Sequence, residues 1–127
     1  MIRLRADVTE QSDRDRVIHS DKSSMAETVQ TLIRHGAHVA ALDMTHSTPL
    51  YLASFSGIPE IVRILIEEGA DVNALNETHS TPLHRASLLG NPETVMLLIE
   101  RRADVTAQDW NHNTPLHLAS SWVSVGI

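Results

Sequence analysis

Eight histidines and sixteen acidic side chains stand in a sequence without cysteine. They are the groups from which a metal site or a general acid–base pair would be built. His46, His79 and His112 lie 33 residues apart, and His84 and His117 repeat at the same step. His19, His35 and His38 belong to neither series and are read as solvated. Serine is common too, so a Ser-His-Asp hydrolase could be drawn on paper, but nothing in the order of residues places one. There is no G-x-S-x-G elbow, no H-E-x-x-H helix and no glycine-rich phosphate loop. Asn76-Glu77-Thr78 matches a glycosylation sequon, a short pattern with no secretory leader to support it. The sequence therefore predicts no catalytic residue, no metal ligand and no cofactor site, and the regular spacing of the histidines points to architecture.

That spacing runs through the whole chain. Thr48-Pro49-Leu50 recurs as Thr81-Pro82-Leu83 and as Thr114-Pro115-Leu116. The same step relates Gly36-Ala37-His38-Val39 to Gly69-Ala70-Asp71-Val72 and to Arg102-Ala103-Asp104-Val105, and Gly57 to Gly90. Within one period, Thr48 can cap a helix that starts at Pro49, where the missing N–H of proline is not needed. Leu50, Leu52 and Ala53 supply an apolar face, and Gly57 can take the left-handed conformation that stops the helix. Pro59 opens a second helix whose Ile61, Val62, Leu65 and Ile66 make one stripe, ended by Gly69. Residues 70–80 are polar and turn-rich and read as a hairpin loop leading to the next Thr-Pro. Two such short helices cannot bury both faces alone, so units must stack into a solenoid.

Stacking fixes what the two ladders of polar residues can do. Packed helices lie about 8 to 10 Å apart, whereas metal ligands converge within about 2.1 Å of one ion, so His46, His79 and His112 are turn residues rather than ligands. Histidine is among the residues enriched at positive φ, as a turn requires. Asp43, Asn76 and Asp109 form a parallel ladder expected to bond local backbone.

Thr81-Pro82-Leu83-His84-Arg85-Ala86 and Thr114-Pro115-Leu116-His117-Leu118-Ala119 match T-P-L-H-x-A, the signature of the ankyrin repeat, in full. Thr48-Pro49-Leu50-Tyr51-Leu52-Ala53 differs only by Tyr in the His place. The chain thus resembles the ankyrin-repeat family, which implies an all-α solenoid of stacked antiparallel helix pairs with projecting β-hairpin loops. The resemblance divides it into 1–14, the remnant of a preceding repeat or an N-terminal extension; 15–47, a degenerate, capping repeat; full repeats 48–80 and 81–113; and a partial repeat, 114–127. It also implies that His84 and His117 bond backbone in a neighbouring loop. There are departures: His46, His79 and His112 stand where the family's hairpin carries glycine. Arg102 replaces a helix-ending glycine at a cost of about 1 kcal/mol if its backbone stays left-handed.

The family binds partner proteins through the hairpin tips and the ends of the first helices. Carried across, the resemblance implies partner contacts at Met44, Thr45, Ser47, Phe55 and Ser56, then Glu77, Thr78, Ser80, Leu88 and Leu89, then Trp110, Asn111, Asn113, Ser121 and Trp122. The set holds three of the four aromatics, Phe55, Trp110 and Trp122, the fourth being Tyr51. Aromatic and large aliphatic side chains on such a surface are costly unless a partner covers them. The alternative is a passive structural segment of a larger adaptor or enzyme.

Composition narrows the partner. Residues 1–22 are electrically balanced, so the net charge of -6 lies in residues 23–127, which disfavours nucleic acid and anionic lipid. The longest apolar run, Val95 to Ile99, is far shorter than a membrane span. With no cysteine and no leader, an intracellular protein, cytoplasmic or nuclear, is expected. The C-terminal unit reads as cut short, which would leave Val95, Leu98 and Ile99 of the helix from Pro92 without a full neighbour and open to self-association.

Overall fold

The computed structural model describes residues 24–121, and six helices are found among them. Helix α1 covers residues 24–34. The others are α2 (Pro49–Ser56), α3 (Pro59–Glu67), α4 (Pro82–Leu89), α5 (Pro92–Glu100) and α6 (Pro115–Ser120). The expected remnant at 1–14, the first helix of the unit at 15–47, and Trp122 lie outside the described residues.

Each predicted start and stop has a local cause. Thr48, Thr81 and Thr114 accept hydrogen bonds from the backbone N–H of Tyr51, His84 and His117, and proline follows each of them. Gly57 and Gly90 end α2 and α4 at φ 72° and 68°. Only glycine takes that conformation without strain. Asn91 caps α5 through its side chain, whereas α3 begins at Ile58 with no side-chain cap.

Helices α2, α4 and α6 lie side by side as one layer, and α3 and α5 form the second, each packed against the helix that precedes it. The core between the layers is aliphatic. Leu50, Val62, Leu83 and Leu98 are fully enclosed, joined by Ile61, Leu65, Ala86 and Leu97. Ile64 is also buried, beyond the stripe that the sequence suggests, while Ile66 is half-buried. Leu52 departs from expectation: it is 48% exposed, because Tyr51 and Ser54 turn inward with Leu50 and Ala53. Leu98 departs too. It is completely buried, leaving Met96 and Ile99 as the exposed apolar residues of α5 and Val95 half-covered.

The segments between units project as turns, and no strand occurs among the described residues. In place of a paired β-hairpin, each tip closes on itself through two backbone bonds: Asp43 N–H to Ser47 O and His46 N–H to Asp43 O, Asn76 N–H to Ser80 O and His79 N–H to Asn76 O, and Asp109 N–H to Asn113 O and His112 N–H to Asp109 O, at 2.9 to 3.1 Å. His46, His79 and His112 sit at φ 58°, 63° and 65°, as the turns require. Arg102 is likewise left-handed at φ 75°, where its counterparts Gly36 and Gly69 hold 103° and 99°.

Candidate partner-binding surface

The candidate surface is built from the loop tips and the inner helices α2, α4 and α6, and both parts are tightly fixed. At each tip one side-chain oxygen gathers two backbone donors. Asp43 Oδ1 accepts from Thr45 and Ser47, Asn76 Oδ1 from Thr78 and Ser80, and Asp109 Oδ1 from Asn111 and Asn113, all at 2.9 to 3.0 Å. The backbone N–H of Ser47, then Thr45 through its hydroxyl and its amide, hold the Asp43 carboxyl below the usual carboxylate range. Asp104 is lowered in the same way by Thr106. Successive tips are also bonded to one another: Glu77 N–H donates to Thr45 O and Trp110 N–H to Thr78 O, each at 3.1 Å.

A second set of bonds ties the inner helices to these tips. The ring of His84 is completely buried. Its Nδ1 accepts from the backbone N–H of Thr81 at 3.1 Å, which leaves Nε2 to carry the proton and donate to Asn113 O at 2.7 Å. The expected bond from this histidine to a neighbouring loop is therefore present. Tyr51, one period earlier, reaches the equivalent loop position by another route, its hydroxyl donating to Ser80 Oγ at 3.3 Å. His117 repeats the local half of the pattern with Thr114 and is exposed.

Exposure sorts the residues proposed for partner contact. Met44 is 95% exposed, Trp110 64%, Phe55 50% and Leu89 39%. Thr45, Ser56, Glu77, Thr78 and Asn111 are also exposed, and Leu88, Asn113 and Ser121 are half-buried. Ser47 and Ser80 are buried, which corrects their inclusion. Both are spent inside the fold, Ser47 on Thr45 and Asp43, Ser80 on Tyr51 and Asn76. Trp110 does not stand alone at its tip: its ring lies 5.2 Å from that of His79 in the preceding tip.

One residue of this surface was not anticipated. Arg85 projects its guanidinium over Phe55, 4.2 Å from the ring centroid, and over Tyr51 at 5.2 Å. The available clue was its register, since the equivalent positions hold Leu52 and Leu118. Among the described residues no group of three or more His, Cys, Asp or Glu side chains is arranged to hold a metal ion.

The model of the family described as ankyrin repeats matches residues 5–76 and 74–126, with three copies. The chain belongs to the ankyrin-repeat family. Ankyrin repeats are generally protein–protein interaction modules and are typically not enzymes. No curated protein matches the chain. No helix among the described residues of this ankyrin-repeat chain is long and apolar enough to cross a membrane.

Proposed function

We propose that the chain is a protein-interaction module that takes its partner across the tips and the inner helices. The observation that carries this reading is the exposure of Phe55, Leu89, Trp110 and Met44, with Met44 and Trp110 at the same register two periods apart and Phe55 and Leu89 at neighbouring registers near the ends of inner helices. Large apolar side chains displayed together on a fixed frame are the usual anchors of a protein interface. The tips supply that frame, because each is pinned by its own Asp or Asn and by its neighbour. The negative charge of the chain favours a protein over nucleic acid or an anionic membrane. Its lack of cysteine fits a place inside the cell, in cytoplasm or nucleus. No catalytic role is assigned to it.

Trp110→Ala tests the reading. Capture of a specific protein by the chain should be lost in the variant while its melting temperature stays within a few degrees of wild type. Undiminished capture, or a pronounced fall in melting temperature, would count against it. The second result would favour a structural role for Trp110 through its stack on His79. A further contact is proposed on α5, where exposed Met96 and Ile99 could join two copies. Sedimentation should then show mass rising with concentration, and a constant monomer mass would remove that contact.

A further inference from the structure

The three inner helices carry one formally charged residue between them, Arg85. The outer helices α3 and α5 hold Glu60, Arg63, Glu67, Glu93 and Glu100. In a chain of net charge -6, the inner-helix part of the face proposed to meet a partner therefore holds a single cation and no carboxylate, while the tips beside it are mostly polar. That cation interrupts a row that is otherwise leucine, Leu52 before it and Leu118 after it.

The setting of Arg85 is specific. The guanidinium carbon lies over the Phe55 and Tyr51 rings, 4.2 and 5.2 Å from their centroids. Arg85 Nε is buried with no hydrogen-bond partner among the described residues, and the residue as a whole is only half-buried. A guanidinium seated on aromatic rings is held in place while its donors stay in the plane of the fork, and with Nε buried the terminal Nη groups are the ones left to meet a carboxylate with two parallel bonds. A cation partly withdrawn from water, with no counter-ion among the described residues, gains more from an arriving anion than one in bulk solvent does. Exposed Phe55 and Leu89 on the same helices ask for apolar neighbours beside that anion.

We infer that Arg85, held on the Phe55 and Tyr51 rings, anchors a carboxylate of the partner protein, an Asp or Glu side chain flanked by apolar residues. This rests on the reading that the inner face takes a protein, and it names the chemistry of the segment bound there.

The test is selection of a random peptide library displayed on phage against the whole chain and against Arg85→Gln, with both proteins first shown to be equally helical by circular dichroism. Wild type should enrich peptides with Asp or Glu beside aliphatic or aromatic residues, and Arg85→Gln should lose the acidic preference. A synthetic peptide of the wild-type consensus should bind Arg85→Gln about tenfold more weakly, as should its Glu→Gln or Asp→Asn version with the unchanged chain. Arg85→Lys, which keeps the charge without the planar fork, should fall between. Peptides that bind both proteins equally and lack acidic residues would overturn the role of Arg85 and leave the inner face as the binding surface. Competition by inorganic phosphate at the peptide's own concentration would overturn the carboxylate assignment. Failure of any peptide to bind the folded chain would overturn this inference together with the reading beneath it.

Discussion

The units at 48–80 and 81–113 share one backbone plan and differ in what they bury. Where the first has Tyr51 bonded to a serine hydroxyl, the second has His84 bonded to a backbone carbonyl and, through its other nitrogen, to the start of its own helix. Where the first places Ile61 in the core, the second places Thr94, fully enclosed and with its hydroxyl oxygen unpartnered. Where the first ends its second helix on Gly69, the second uses Arg102 in the same left-handed region. The comparison teaches that the two units are stabilised unevenly. The second has the better polar bridge and carries two local penalties that the first lacks.

The largest test removes the bridge. His84→Ala should lower unfolding stability by about 3 kcal/mol, because it opens a cavity and strands the Thr81 N–H and the Asn113 carbonyl. Denaturant titration reads this directly, and a loss under about 1 kcal/mol would mean that the bridge contributes little. Thr94→Val should go the other way, raising stability by about 1 to 2 kcal/mol by replacing an unsatisfied buried hydroxyl with a methyl of similar size. No gain in the same titration would show that the hydroxyl is satisfied in solution. Arg102→Gly should add up to about 1 kcal/mol by relieving the left-handed backbone, visible as a small rise in melting temperature.

The smallest effect compares the tips. Asp43 and Asn76 gather equivalent N–H groups, one with a charge and one without. Since the folded state holds the Asp43 carboxyl below its ordinary value of 3.8, its contribution is complete above that value and is lost as pH falls through the depressed one. Asp43→Asn has nothing to titrate there. Its stability should therefore fall less steeply on acidification than that of wild type, and identical acid profiles would show that the charge adds nothing to the turn.

Much of this was legible in the sequence because the repeat states each local decision more than once. Thr-Pro marks the start of each inner helix, α2, α4 and α6, and Gly57 and Gly90 mark stops. The three tip histidines announce positive φ by standing where a glycine turn belongs. What stayed hidden depends on contacts between units. The burial of Ser80 follows from Tyr51, 29 residues away, and the stack of Arg85 on Phe55 crosses from one inner helix to the next. Periodicity gives the register of such residues, but not which side chain leans across the seam or which polar group is used up there. Ser47 and Ser80 therefore looked available when they were not.

The bonds from Glu77 to Thr45 and from Trp110 to Thr78 carry a consequence for motion. An amide in either bond is released to exchange with solvent only when two adjacent tips part. Glu77 and Trp110 are thus built-in gauges of separation between units, and their exchange rates report how the stack opens one seam at a time, even when each helix pair remains folded.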